Sequence, residues 1–301
     1  MSAVLEKLPV ILAERSEDVA WTNPFLSDMD PSDEIADRLA PDGGEGRTPL
    51  PTTYEATVDC LLDADCNASG FMRGPVRAVF VKYPADQWEK AHAACPALIL
   101  DEFRAIRFYT ENYFREINRG LRYMRYPFAP FAPDGGTDTA QRAEGEPETE
   151  SAWKDEVWRF TRLYWWMHSG IRKLARVQSR MERVFRWQKP DRWQHWTVGS
   201  IYTSRSFTST AVGPNPPVEQ KYRYGDHFGS LLLIFDLRNM PRECIADISM
   251  CSKFALEGEA LLLPWLRFRV TDVRRLSVDE QKEWQSTDSI ALQYCGHLSQ
   301  I

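Results

Sequence analysis

The sequence predicts an α+β domain, and the order of its patterns is the reason. Two helical patterns come first along the chain, and short apolar runs of β type follow them. Helices that precede strands, rather than alternating with them, are typical of α+β domains and not of doubly wound parallel sheets. A chain of 301 residues can form one substantial core with an appendage, or two small domains.

For residues 1–83 the sequence predicts an N-terminal extension to that domain. The stretch 22–53 is rich in Pro, Gly and Asp, and a segment of such low hydrophobicity does not offset the entropy lost on ordering, so we expect a flexible linker. The run Val76–Val81 alternates apolar and polar residues, which allows a short strand. The main domain is then expected to cover residues 84–301.

The first helical pattern runs from Asp86 to Met124, with apolar residues three and four positions apart that gather on one face. It predicts one core-facing helix and allows a shorter helix before it. Residues 132–152 are acidic and contain Gly, which predicts a disordered surface loop. The second pattern, residues 153–181, predicts either one long amphipathic helix or two that join near Ser169 and Gly170.

The strands are expected after the second helix. Short apolar runs bounded by turn residues are typical of strands. The runs are Arg183–Arg186, Gly199–Thr203, Leu231–Phe235, Ala260–Leu263, Phe268–Val270 and Ile290–Tyr294.

Composition and charge exclude several classes of function. A net charge of −6 argues against a broad phosphate-binding surface, so we expect a small-molecule or protein partner and no nucleic acid. No apolar run approaches the roughly 18 residues that a membrane helix requires, and the N-terminus lacks the pattern of a cleavable secretory signal. The six cysteines show neither CxxC pairs nor zinc-ligand spacing with histidines, which predicts reduced thiols and no metal.

The common nucleotide and hydrolase motifs are missing, since the sequence has no GxGxxG after a strand, no P-loop, no HExxH and no GxSxG. The first weaker signal is Glu257-Gly258-Glu259. Residues two apart in an extended strand share a face about 6.6 Å apart, so two carboxylates are expected to converge. Such a pair suits glycoside-type cleavage, in which one carboxylate stabilises a cationic sugar and the other moves a proton. An isolated Glu-x-Glu pair is more often a solvated surface feature.

Two further signals precede that triplet. The hydroxyl-rich run from Ser206 to Ala211 predicts a strand, and its ordinary interpretation is an edge strand whose hydroxyls bond to the backbone. Arg186 ends a β-type run, where a guanidinium can clamp a phosphate through two hydrogen bonds. Taken alone, Arg186 is an ordinary surface arginine.

Together these signals resemble the R-S-E clade of mono-ADP-ribosyltransferases, the group of arginine-modifying toxins and ectoenzymes. That family has an aromatic-Arg pair at the end of a strand, then an F-x-S-T-S strand, and then an E-x-E motif. The counterparts here stand in the same order and are Phe185-Arg186, Phe207-Thr208-Ser209-Thr210-Ala211 and Glu257-Gly258-Glu259.

A fourth motif extends the resemblance to residues 86–301. Actin-modifying members carry YT-x3-Y-x2-IN on the helix that lines the NAD pocket, and this chain has Tyr109-Thr110, Phe114 and Ile117-Asn118 at that spacing. The resemblance implies an ADP-ribosyltransferase fold, in which a helical N-terminal part packs on a split mixed or antiparallel β-sandwich with an NAD cleft.

The resemblance also implies roles for individual residues, with NAD as the cosubstrate. Glu259 would stabilise the oxocarbenium-like ribose while the nicotinamide bond breaks, Ser209 would hold Glu259, and Arg186 would pair with the NAD phosphates. In the family, Glu two residues before the catalytic Glu accompanies arginine targets, so Glu257 points to a protein arginine as acceptor. The further NAD contacts that the resemblance implies are Tyr109, Phe114, Asn118 and Phe228.

Two alternative functions stay open. An NAD glycohydrolase would use the same residues and release ADP-ribose to water. A non-catalytic binding module of this family is the other alternative, and two departures from the family pattern favour it, namely Ala211 at the third hydroxyl position and Trp187 after the arginine.

Many members of the family are bacterial toxins or effectors that work inside another cell. Since no apolar run reaches the length of a membrane helix, we expect a soluble chain without membrane insertion, and we expect a monomer. It would be secreted without a cleavable signal peptide and act in the cytosol of a host or target cell. Residues 1–53 would then be a delivery or partner-binding arm.

Overall fold

The fold consists of helices packed against one mixed β-sheet. The structure is a computed structural model, and it describes residues 53–58, 82–114, 117–118, 150–188, 196–204, 206–212 and 231–297. Residues 22–52 of the predicted linker 22–53 and the predicted strand 76–81 lie outside the described residues, as does the predicted acidic loop up to residue 149. The main helices of the described chain are α1 (Ala85–Ala94), α2 (Leu100–Phe108), α3 (Glu150–Val177) and α4 (Val278–Trp284).

The first helical pattern forms two helices. Cys95 follows the last residue of α1 and precedes Pro96, and a proline disfavours helical backbone at the residue before it, so α1 ends at Ala94. At the start of α2 the side chain of Glu102 accepts a hydrogen bond from the backbone N–H of Ile99 at 3.0 Å. A π-helical turn, Tyr109–Tyr113, continues α2. The apolar pattern of the sequence allows the shorter first helix but does not predict the π turn.

The second pattern forms one continuous helix, α3, with no break near Ser169. Gly170 lies where α3 crosses α2, and a Cβ at this position would be only 3.0 Å from Ile106 Cδ1 and 3.1 Å from Glu102 Cβ. The glycine therefore serves close helix packing and not a helix end. The predicted loop 132–152 also extends too far, because α3 begins at Glu150.

The strands are joined into one sheet of eight in the described chain, with the order β2-β7-β8-β4-β1-β3-β6-β5. Only β4 and β8 are parallel, and every other neighbouring pair is antiparallel. The strands are β1 (Arg183–Gln188), β2 (Ile201–Ser204), β3 (Thr208–Ala211), β4 (Leu231–Asp236), β5 (Ile245–Asp247), β6 (Glu259–Leu262), β7 (Leu266–Arg275) and β8 (Asp288–His297). The predicted α+β class is confirmed.

The sheet is nearly divided between β1 and β3. These strands pair through a single register position, Phe185 opposite Ala211, whereas β1 and β4 pair along the whole of β1. The division separates a three-stranded part, β3-β6-β5, from a five-stranded part, β2-β7-β8-β4-β1.

Two hydrophobic cores lie on opposite faces of β6. Leu261, together with Leu263 just after β6, belongs to the core that the helices share with Phe207 and β5, whereas Ala260 and Leu262 belong to a second core shared with β4, β7 and β8. Successive side chains of a strand point to opposite faces, so an apolar run without alternation is what a strand between two cores requires. The three-stranded part therefore lies between the helices and the rest of the sheet.

The segment 53–58, within the predicted N-terminal extension, packs on the helical core. Tyr54 and Val58 are buried in the same cluster as Phe103 and Ile106 of α2. Arg104 of α2 lies 5.4 Å from the centre of the Tyr54 ring and donates a 2.7 Å hydrogen bond to Glu55. Hydrophobic burial and a shielded ion pair thus connect this segment to α2.

The cysteines in the described parts of the chain are free thiols. Cys95, Cys244 and Cys251 are buried, and Cys295 is exposed. Burial raises the pKa of the Cys244 thiol to about 12, so this side chain is an uncharged apolar group at neutral pH. None of the helices in the described ranges has the length and apolar character needed to cross a membrane.

Candidate active site

Arg186, Ser209 and Glu259 meet where the sheet is nearly divided. They belong to β1, β3 and β6, and all three side chains are partly buried. The hydroxyl of Ser209 donates a 2.6 Å hydrogen bond to Glu259 Oε1. Arg186 Nη1 donates a 2.8 Å hydrogen bond to the backbone carbonyl of Ser209. The structure therefore brings together three of the residues that the sequence singled out.

The register of β3 and β6 accounts for the contact between Ser209 and Glu259. Ala211 lies opposite Glu259, and Ser209 lies opposite Leu261. Residues two apart on a strand share a face, so Ser209 is the diagonal neighbour of Glu259 on the same face. Thr210 points to the other face, where its hydroxyl donates to the carbonyl of Ala260 at 2.8 Å.

The arginine contact follows from the short pairing between β1 and β3. The backbone N–H of Val212 donates to the carbonyl of Gly258, so Val212 faces β6. Backbone N–H and C=O groups alternate in direction along an antiparallel strand. The N–H and C=O of Ser209, three residues earlier, therefore point away from β6 and toward β1. Beyond Phe185 and Ala211, β1 no longer pairs with β3. The guanidinium of Arg186 thus supplies the donor that a strand neighbour would otherwise provide.

Arg186 has capacity for a further contact. Its Nε atom is buried and has no hydrogen-bond partner among the described residues. A buried donor of this kind costs free energy unless a partner approaches it. An anion that approached Arg186 would provide such a partner.

The acidic triplet is not extended, so the prediction that its two acids lie on one strand is wrong. Glu257 ends a 3₁₀ turn, Ala255–Glu257, and Gly258 adopts left-handed backbone angles, with φ of 57° and ψ of 42°. Glycine populates this region readily because it has no Cβ. The chain therefore turns between the two acids, and only Glu259 belongs to β6. The side chain of Glu257 lies outside the described part of the chain.

Tyr109 and Asn118 contact the backbone just before β3. Tyr109 donates its hydroxyl hydrogen to the carbonyl of Phe207 at 3.3 Å, and Asn118 Nδ2 donates to the same carbonyl at 3.1 Å. Both side chains are buried, with 3% and 8% of their surface exposed. Their described hydrogen bonds therefore stabilise the entrance to β3, whereas Phe114 is 40% exposed. Asn118 Oδ1 is buried and has no partner among the described residues.

The sequence also singled out Phe228, Trp187 and the hydroxyl-rich strand. Phe228 lies outside the described residues. Trp187, the departure from the family pattern, donates its indole N–H to the carbonyl of Trp284 at 2.8 Å at the end of α4. The hydroxyl-rich strand is not an edge strand, because β3 lies between β1 and β6.

Sequence reasoning missed α4, which the contacts of Trp187 and Phe185 place beside β1. A sequence signal for it existed, because Ser277 followed three residues later by Glu280 is a capping-box pattern.

The arrangement suits the stabilisation of positive charge. A carboxylate that is held by a hydroxyl is fixed in direction before the reaction, and this reduces the reorganisation that charge stabilisation requires. Among the described residues, no group of three His, Cys, Asp or Glu side chains is placed to hold a metal ion.

No family model matches the chain, and none of the curated proteins does. Solved structures similar to it include the type III effector XopAI from Xanthomonas axonopodis pv. citri, at 15% identity over 88% of this chain and 96% of that chain, with a TM-score of 0.47. The ADP-ribosyltransferase HopU1 of Pseudomonas syringae pv. tomato is 15% identical over 69% of this chain and 82% of that chain, with a TM-score of 0.47.

Exoenzyme S from Pseudomonas aeruginosa, in complex with human 14-3-3 protein beta and bound to carba-NAD, is 17% identical over 82% of this chain and 92% of that chain, with a TM-score of 0.41. The chain is thus similar, at low sequence identity, to solved structures that include ADP-ribosyltransferases.

Proposed function

We propose that this chain cleaves NAD and transfers the ADP-ribose to an arginine of a target protein, releasing nicotinamide. The observation that carries the proposal is the 2.6 Å hydrogen bond from Ser209 to Glu259, beside the guanidinium of Arg186. The three residue types occur in the order that the resemblance to the R-S-E clade requires, and their contacts join three strands.

In the proposed reaction, the bond between ribose and nicotinamide breaks and its electron pair leaves with nicotinamide. Positive charge then develops on the ribose, where a nearby carboxylate lowers the barrier. Glu259 is proposed as that carboxylate, and Ser209 fixes its direction. An acceptor nitrogen next forms a bond to the ribose carbon and loses its proton.

Arg186 is proposed to pair with the phosphates of NAD. The buried Nε atom of Arg186 supports this assignment, since it is a donor that the described part of the chain leaves without a partner. Phe114 is proposed to contact the nicotinamide mononucleotide half through its exposed ring, and Asn118 through its Oδ1 atom. Tyr109 and Phe228 stay proposed NAD contacts on the resemblance alone.

The choice of acceptor rests on Glu257. A guanidinium has a pKa above about 12 and is a poor nucleophile while it is charged, so a carboxylate has to orient it and accept its proton. We propose Glu257 for this role and a protein arginine as the acceptor. The chain would act as a toxin or effector in the cytosol of a target cell, with residues 1–53 as a delivery or partner-binding arm.

The proposal is tested with the purified full chain and NAD that carries a tag on its adenine. Nicotinamide release without an acceptor measures NAD cleavage, and transfer to agmatine, a small guanidine, measures acceptor use. Mass spectrometry of a target-cell lysate then identifies the modified protein and residue. We expect cleavage, transfer to agmatine and modified arginine. Cleavage without any transfer would indicate an NAD glycohydrolase instead of a transferase. The absence of NAD cleavage would overturn the proposal.

A further inference from the structure

The π turn Tyr109–Tyr113 contacts two separate segments that carry site residues. A π turn adds a residue to the helical repeat and changes the directions in which neighbouring side chains point, and such turns are frequent at functional sites. Tyr109 and Thr110 are adjacent in this turn, so their side chains point in different directions around the helix axis. One of them bonds to the segment before β3, and the other bonds to the segment before β6.

The contact of Tyr109 fixes the entrance to β3. Its hydroxyl donates to the carbonyl of Phe207, and Asn118 Nδ2 donates both to that carbonyl and to the Tyr109 hydroxyl, each at 3.1 Å. The Tyr109 and Phe207 rings also meet edge to face, with centroids 6.0 Å apart. Phe207 is two residues before Ser209, so these contacts hold the backbone that leads directly into the strand of Ser209.

The contact of Thr110 fixes a different segment. Its hydroxyl donates to the carbonyl of Arg107 at 2.8 Å and accepts from the backbone N–H of Lys253 at 3.0 Å. Thr110 is buried, with 8% of its surface exposed, so water does not readily replace this hydrogen bond. The bond to its own helix orients the hydroxyl and leaves a lone pair for Lys253.

Lys253 begins the segment that leads to Glu257. The ammonium of Lys253 also forms an ion pair with Glu111 of the same π turn. At the far end of the segment, Val212 donates to the carbonyl of Gly258 at 2.8 Å. Residues 253–258 are therefore held at both ends, by the π turn and by the residue that follows β3.

We infer that Tyr109 and Thr110 are positioning residues with separate tasks. Tyr109 aligns Ser209 with Glu259 for NAD cleavage, and Thr110 holds the segment that presents Glu257 to the guanidine acceptor. The inference rests on the proposed function and assigns Tyr109 a task that the resemblance did not imply. It gives two adjacent residues different kinetic signatures.

The test compares conservative variants of each residue in the full chain. Thr110→Val keeps the branched shape but loses the acceptor for Lys253, and Thr110→Ser keeps the hydroxyl. Tyr109→Phe keeps the ring and loses the hydroxyl. Lys253→Ala is the matched control, because it removes the exposed ion pair with Glu111 but keeps the backbone N–H. Nicotinamide release and transfer to agmatine are measured for each variant.

We expect Thr110→Val to lower kcat/KM for agmatine transfer about tenfold and to lower NAD hydrolysis by less than about threefold, since one misplaced group accounts for losses of this size. Thr110→Ser and Lys253→Ala should keep the wild-type ratio of transfer to hydrolysis. Tyr109→Phe should lower both activities in parallel, mainly through kcat. An unchanged ratio in Thr110→Val, or an equal loss in Thr110→Ser, would overturn the inference.

Hydrogen exchange supplies a readout that does not depend on catalysis. Thr110→Val should speed exchange in residues 248–258 and leave residues 207–212 at the wild-type rate, and Tyr109→Phe should do the reverse. Faster exchange over the whole chain in both variants would mean a purely global effect and would contradict the inference. If the wild-type chain does not cleave NAD, the proposed function fails, while the exchange pattern still decides whether each residue holds its own segment.

Discussion

Ser209 donates a 2.6 Å hydrogen bond to the carboxylate of Glu259, although 50 residues separate the two in the chain. Both side chains are partly buried, so the bond is shielded from bulk water. A hydrogen bond to a charged group contributes more than a neutral one, about 1.5–3 kcal/mol. This relationship makes Ser209 the first residue to test.

Ser209→Ala should lower the rate of NAD cleavage about 10- to 100-fold, because the carboxylate loses the group that fixes its direction. The matched control is Thr210→Val on the same strand, which removes the bond to the carbonyl of Ala260 on the opposite face. The control should lose about 1 kcal/mol of stability and keep its kcat. Nicotinamide release and thermal unfolding measure the two effects, and equal kcat values for both variants would contradict the prediction.

The two acids of the triplet should separate in their effects. Glu259→Gln should reduce both NAD hydrolysis and transfer by about 100-fold or more, because the neutral amide does not stabilise positive charge on the ribose. Glu257→Gln should lose transfer to agmatine while retaining measurable hydrolysis. Nicotinamide release and transfer to agmatine are measured on the same preparation of each variant. NAD consumption at the wild-type rate by Glu259→Gln would contradict the role proposed for Glu259.

Arg186→Lys should raise the KM for NAD and lower kcat, by about tenfold each. Lysine keeps the charge but presents a point-like ammonium, so it does not reproduce the contact of Nη1 with the Ser209 carbonyl together with a second donor toward phosphate. Arg183→Lys at the exposed start of the same strand is the control and should change neither value. Steady-state kinetics with NAD check this, and wild-type kinetics in Arg186→Lys would rule out a guanidinium requirement.

Gly170→Ala should destabilise the fold, even though alanine favours helices by about 1 kcal/mol over glycine. The new Cβ would lie 3.1 Å from Glu102 Cβ, an atom held close to the backbone of α2, so the helices have to separate. Overpacking of this kind costs about 1–3 kcal/mol. Thermal unfolding measures the change, with Val177→Ala at an exposed position of α3 as the control; a higher Tm for Gly170→Ala would refute the close contact.

Glu280 should make stability depend on pH in acid. The hydrogen bond from Arg274, followed by those from Ser277, lowers the pKa of Glu280 from 4.5 to about 2. A carboxyl with a lowered pKa stabilises the fold above its unfolded pKa, and this contribution is lost as pH falls from about 4.5 through about 2. Glu280→Gln should therefore be less stable than wild type at pH 6, with the difference shrinking over that range.

The pH dependence is measured by denaturant unfolding at a series of pH values. Arg274→Gln removes the partner that contributes most to the low pKa of Glu280. This variant should also be less stable than wild type at pH 6, and the difference in stability should shrink over the same pH range. A stability difference that stays constant between pH 6 and pH 2 in either variant is inconsistent with this account.

Local patterns in the sequence determined the class of the fold and most of its elements. The period of three and four residues predicted α3, and the apolar runs predicted β1, β4, β7 and β8, because each pattern depends only on which face of an element is buried. The order of arginine, serine and glutamate along the chain was also visible, and it supported the choice of candidate site residues.

The errors lie where backbone conformation or helix packing is set by distant parts of the chain. The triplet looked extended, but Gly258 adopts left-handed angles, and its carbonyl accepts a hydrogen bond from Val212, 46 residues earlier in the chain. Gly170 suggested a helix end, but the glycine instead leaves room for the close approach of α2. The π turn follows a regular apolar pattern, so nothing in that pattern marked it.

Tertiary structure alone decided how the candidate site is assembled. The register of β3 and β6 brings Ser209 to Glu259, and the short pairing of β1 with β3 lets Arg186 bond to the Ser209 carbonyl. The contact of Thr110 with Lys253 spans 143 residues. A sequence specifies which side chains can donate and accept, but strand register and helix packing are collective properties of the whole fold, and they decide which of those groups meet.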